Sequence, residues 1–156
     1  MGISGALRSS PRFAFLLSAA LSVVALLWAA PLWALEVPAL TGRVVDRAEV
    51  LEPEAEQRIS ALLEAHEKAS GQQFAVLTVP SLEGDALEDF SIRVVESWKL
   101  GKKAKDDGLL LLVVAKDRKV RIDVGYGLEG DITDAVSARV IREVITPAFR
   151  RSDYAG

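Results

Sequence analysis

Residues 109–115 are apolar at every position, and beyond a polar turn at 116–119 Val120, Ile122 and Val124 alternate with Arg121 and Asp123. An unbroken apolar run is expected of a central strand covered on both faces. Strict alternation is expected of a strand with one polar face. With only a tight turn between them, the two runs make a β-hairpin. That hairpin constrains the rest of the chain, because antiparallel strands bring the residues before the first beside those after the second.

Upstream, the pattern changes between periods of two and 3.6 residues. Residues 35–41 read as an extended lead-in, with Pro38 opposing helix, and Val44 and Val45 as a short strand ending at Asp46. Glu52-Pro53-Glu54 opens a helix, since proline suits the first turn and acids suit the positive end of the dipole. Its apolar stripe is Ala55, Ile59, Leu62, Leu63 and Ala69, and Gly71 stops it. Residues 74–79 read as a strand. Asp85, with Glu88 three residues on, is placed to cap a second helix that buries Leu87, Phe90, Val94 and Trp98 and ends near Gly101. Thr133 caps a last helix through Val136, Val140, Ile141 and Val144, which Pro147 stops. The order β-α-β-α-β-β-α gives an α/β sandwich around a mixed sheet of about four strands.

The segment before this domain has another character. Arg8 and Arg12 precede an uncharged run over residues 13–30, closed by Pro31. A basic flank followed by such a run is the pattern of a secretory signal, with cleavage after Ala34. If uncleaved, the same run serves as an N-terminal membrane anchor. Residues 1–34 are therefore expected to be a signal peptide or anchor, and the domain at 35–156 is expected outside the cytoplasm: in a periplasm, at a cell surface or in a lumen.

Charge and cysteine usage exclude several classes. The chain has 19 basic and 22 acidic side chains. Arg8 and Arg12 are the only charges before Glu36, so the domain holds 17 basic groups and a net charge of about −5. Nucleic-acid binding needs a basic face, so no nucleic-acid partner is expected. No cysteine is present, which removes disulfides, thiolate zinc sites, a cysteine nucleophile and a lipoprotein anchor. His66, the single histidine, falls beside Leu62 and Leu63 on the first helix and reads as a packing residue. A triad built on His or Cys has no second partner.

The hairpin should carry Asp106, Asp107 and Gly108 up to Gly125-Tyr126-Gly127-Leu128-Glu129-Gly130, with Asp131 and Asp134 following directly. That gathers up to five carboxylates around a loop whose glycines admit close backbone approach. A hard cation such as calcium takes six to eight oxygens from carboxylates, carbonyls and water. The same acids are also what turns and helix starts favour for themselves. The glycine-rich run invites comparison with a phosphate-binding loop, but an acid stands where phosphate would sit, so no nucleotide site is expected. Arg121 offers a phosphate contact, or a same-face ion pair with Asp123.

Taken together these segments resemble the TPM domain family, named for a plant thylakoid-lumen protein, a photosystem II-associated protein and a nematode receptor modulator. The resemblance is carried by Val45-Asp46-Arg47-Ala48 with Leu51, by Trp98-Lys99-Leu100-Gly101, and by Asp106-Asp107-Gly108 with the four leucines after it. Its most specific stretch runs from Arg118 through Gly125-Tyr126-Gly127-Leu128-Glu129-Gly130, and Pro147-Ala148-Phe149-Arg150 with Asp153-Tyr154 complete it. The resemblance implies a three-layer α/β/α sandwich and a divalent-cation site, chiefly for calcium with magnesium as the alternative. Some members are described as acid phosphatases. Relatives often carry Asp-Asn-Gly where this chain has Asp106-Asp107-Gly108. Their chain usually continues past Tyr154, so the domain at 35–156 is expected to be short at its C-terminus.

The candidate metal ligands are Asp106, Asp107, Glu129, Asp131 and Asp134, with Asp46 added although the hairpin does not position it. Two functions are expected from this reading. One is an exported, calcium-binding module that contacts envelope or membrane proteins, with residues 13–30 touching the membrane if they are retained. The other is a metal-dependent acid phosphatase acting on phosphomonoesters, with Arg121 on the phosphate.

Overall fold

The computed structural model describes residues 34–155; the expected signal or anchor segment lies outside them apart from its last residue. The elements are β1 (Val44–Asp46), α1 (Pro53–Ser70), β2 (Gln73–Val79), α2 (Leu87–Trp98), β3 (Gly108–Val114) and β4 (Lys119–Val124). A helical stretch follows: α3 (Asp134–Val140), a π-helical segment (Ile141–Ile145) and α4 (Thr146–Arg150). Among the described residues no helix is long and apolar enough to cross a membrane.

The four strands form one sheet in the order β1-β2-β3-β4. The first three are parallel, and β4 returns antiparallel to β3 with Leu109 opposite Val124 and Val114 opposite Lys119. Parallel neighbours need a crossover, which α1 and α2 supply, whereas β3 and β4 need only the tight turn. On one face the register aligns Val45 with Leu77, Ala75 with Leu110, Leu77 with Leu112 and Val79 with Val114. Phe90, Val94 and Trp98 of α2 pack onto these residues to form the main core. Phe90, Val94, Leu77, Leu110, Leu112 and Val114 are fully enclosed, and burying each such side chain contributes roughly 1.5–3 kcal/mol. The lead-in closes this face, where Trp98 Nε1 donates to the Pro38 carbonyl at 2.7 Å.

The other face carries Phe74, Val76, Thr78, Leu109, Leu111 and Val113. α1 lies over its β1–β2 half, with Ala55 buried and the His66 ring 4.5 Å from that of Phe74. Thr146 and Phe149 approach Val113 and Val120 on the β3–β4 half. The architecture is thus the expected three-layer α/β/α sandwich. Both crossovers step the same way across the sheet yet lie on opposite faces. They are therefore of opposite hand, and one of them departs from the usual right-handed rule.

Three local expectations are corrected. Leu62 is 69% exposed, because α1 is turned about its axis so that Glu67 meets Arg43 at 2.7 Å and accepts from Gln73. Asp85 does not cap α2, whose cap is Ala86 without a side-chain bond. Instead Asp85 pairs with Arg93, two turns along, and accepts from the Leu35 amide. Pro147 does not stop the last helix. The wider π-helical turn immediately before it absorbs the missing N–H, and the helix runs on to Arg150.

Candidate functional site

The hairpin register delivers the expected meeting of loops. Gly125 N donates to Gly108 O at 2.8 Å, and Gly127 N to Asp106 O at 3.0 Å. The Tyr126 amide donates to Asp106 Oδ2 at 3.0 Å. Glycine is required for this approach: a Cβ on Gly125 would stand 2.2 Å from Asp106 O, and one on Gly127 1.9 Å from Lys105 O. Asp106 itself takes a positive φ of 50°, which Asp tolerates better than most side chains. A short 3₁₀ turn, Tyr126–Leu128, follows and is pegged by the buried Leu128. The Asp131 and Ile132 amides bond back to the Leu128 carbonyl, and Thr133 Oγ1 caps α3 by accepting from Val136 N.

The result is a groove of about 340 Å³ between α2 and the β4 end of the sheet. Asp106, Asp123, Glu129, Asp134, Glu96 and Arg121 supply its charged lining. Of the expected ligands, the structure therefore brings Asp106, Glu129 and Asp134 together. Asp123 and Glu96 join them, and sequence reasoning missed both. The alternation in β4 marked Asp123 only as a partner for Arg121, and Glu96 depends on how α2 is rotated. Asp123 Oδ1 does accept from Arg121 Nε at 2.7 Å, but its Oδ2 is buried with no hydrogen-bond partner. Arg121 also reaches Glu88 at 3.6 Å, so two carboxylates share its charge.

The remaining expected ligands are placed elsewhere. Asp107 is 6% exposed and braces the preceding loop by accepting from Lys102 N at 2.8 Å. Asp131 is exposed and does not line the groove. Asp46 sits at the carboxyl end of β1, on the far edge of the sheet and at its other end. It accepts from the amides of Val50 and Leu51 and from the Thr78 hydroxyl, which fixes the turn into α1. Among the described residues no three Asp, Glu, His or Cys side chains stand close enough to hold a metal ion as a set.

Two other sequence features resolve plainly. Gly125, Gly127 and Gly130 keep the G-x-G-x-x-G spacing, but the run follows an antiparallel strand and enters a 3₁₀ turn. A dinucleotide loop would join a parallel strand to a helix whose N-terminus faces the pyrophosphate. His66 packs on Phe74 and bonds Gln72 Oε1 at 2.9 Å, as a packing residue should.

The TPM domain family model matches residues 44–156. The solution structure of the N-terminal domain of a P. gingivalis protein is 35% identical to this chain, covering 76% of it and 79% of the other, with a TM-score of 0.70. The N-terminal domain of a Corynebacterium glutamicum protein, also solved in solution, is 16% identical over 81% of this chain and 79% of the other, with a TM-score of 0.58. The second likeness speaks to the fold alone. No curated protein matches significantly.

Proposed function

The chain belongs to the TPM domain family, and from that premise we propose that it is an exported accessory module whose acidic groove takes a divalent cation, calcium in preference to magnesium. The observation that carries the reading is Asp123 Oδ2, a buried acceptor without a donor, in a groove that Asp106, Glu129 and Asp134 also line. An unpaired buried carboxylate oxygen is costly, and a cation would relieve that cost. The carboxylates surround an open groove and form no closed cage. Calcium, with its flexible geometry and tolerance of water ligands, suits such a site better than magnesium. Affinity on the order of 10⁻⁴–10⁻³ M is expected, the range of extracellular modules.

Calcium titration of the chain, followed by amide NMR and by melting temperature, tests the site. Shifts should centre on residues 106, 123–129 and 134, and calcium should raise the melting temperature, because a ligand bound only by the native state stabilises it. Asp106→Asn with Asp123→Asn should abolish both effects, while Asp107→Asn should keep them. Retention of the effects in the double variant would refute the groove as the site.

Export rests on Arg8, Arg12 and the uncharged run at 13–30, and it makes membrane or envelope proteins the natural partners. A reporter fused at the C-terminus should be active outside the cytoplasm; activity confined to the cytoplasm would refute export. Phosphomonoester hydrolysis at the same groove has less support, because Arg121, its expected phosphate contact, is held by Asp123 and Glu88.

A further inference from the structure

A second pocket of about 420 Å³ lies at the opposite end of β4 and on the opposite face of the sheet, between the hairpin turn and the end of the last helix. Its polar side chains are Arg118, Arg150, Thr146, Ser152 and Tyr154: two cations and three hydroxyls, with no carboxylate. Lys119 borders it too, but alternation along β4 puts its side chain on the other face, with Arg121 and Asp123. In a domain with a net charge of about −5 this is a local reversal of sign. Among the described residues neither guanidinium is in an ion pair, in contrast to Arg43, Arg93 and Arg121.

The one acid in the hairpin turn is turned away. Asp117 accepts from Ser81 Oγ and Leu82 N, both at 3.2 Å. The Lys116 amide bonds Pro80 O at 2.9 Å, so the turn is tied down on its far side and presents Arg118 to the pocket. Arg118 and Ser152 both hold positive φ, 53° and 60°. Non-glycine residues in that region carry strain, and such residues gather at ligand sites. The rings of Phe149 and Tyr154, 4.7 Å apart, form one wall of the pocket.

We propose that this pocket binds a phosphate group, borne by a small phosphate ester or by a phospholipid headgroup. Two guanidiniums offer forked donors that match phosphate oxygens, and the hydroxyls satisfy remaining lone pairs. A carboxylate would leave most of these donors unused. The proposal is independent of the acidic groove, which lies about 17 Å away along β4 at the strand rise of ~3.4 Å per residue.

The test is an amide NMR titration of the full chain with inorganic phosphate, against chloride at matched ionic strength. Phosphate should give saturable shifts at 118–119 and 146–154 and none at 125–130. Arg118→Gly with Arg150→Gln should weaken binding by about tenfold or more. Glycine suits the φ of Arg118, and Arg150 is exposed, so the variant should keep the fold, which its spectrum verifies. Cosedimentation with phosphatidylglycerol vesicles, against phosphatidylcholine, separates the sources. A loss in the variant confined to phosphatidylglycerol assigns a headgroup, and a loss confined to inorganic phosphate assigns a small ester. The proposal is overturned if the variant matches wild type in both assays, or if neither phosphate nor phosphatidylglycerol shifts these amides.

Discussion

Two adjacent aspartates behave in opposite ways here, and backbone conformation decides which one faces the groove. Asp106 holds φ at 50° and takes the Tyr126 amide, while Asp107 turns inward to Lys102. Both were legible as candidates, since the hairpin put the pair in place, but which carboxylate would be buried was not, because that depends on one dihedral angle. The glycines opposite them are the clearest residue-scale feature. Gly127→Ala forces a Cβ to within 1.9 Å of the Lys105 carbonyl, so it should cost about 3 kcal/mol or more. Gly130→Ala, with nothing within 4 Å, should cost well under 1 kcal/mol. Urea midpoints of the two variants check the contrast, and equal midpoints would show that the loop relaxes freely.

At the scale of elements, the alternation in β4, the apolar run of β3 and the Pro53 and Gly71 signals were enough to place strands and helices. What they could not supply was the rotation of each helix about its axis. Leu62 follows the apolar period yet faces solvent, because Arg43 and Gln73 hold Glu67 on the flank of α1. Asp85 departs from its expected capping role for a related reason: a cap is a local bond, whereas its partners Arg93 and Leu35 are settled by how α2 meets the lead-in. The Arg93 guanidinium beside Asp85 holds its carboxyl below the usual range, against an opposing effect of burial. A depressed carboxyl contributes stability that is present above the unfolded-state value, about 3.9, and is lost as pH falls through the folded one. Asp85→Asn should therefore cost about 1 kcal/mol at neutral pH, a modest figure since Arg93 is 34% exposed. The deficit should shrink below about pH 4; a deficit that is the same at pH 7 and pH 2 would show that the charge is not the cause.

Over the whole domain, the carboxylates of one groove and the cations of another sit at opposite ends of β4 and on opposite faces of the sheet. The composition could only return the net charge, because the separation arises when the fold gathers Arg118 and Arg150 at the turn end of β4 and Asp106, Asp123 and Glu129 at the other. The same strand closes the sheet on one side, with no further strand against it among the described residues, and β1, only three residues long, closes the other. An open sheet edge is ordinarily a template on which a second chain can grow. β1 is too short to seed such growth. A strand added to β4 would have to strip water from the exposed Lys119 and from the partly exposed Arg121, two residues on. The alternation that identifies the hairpin thus also makes its outer edge a poor nucleus for aggregation.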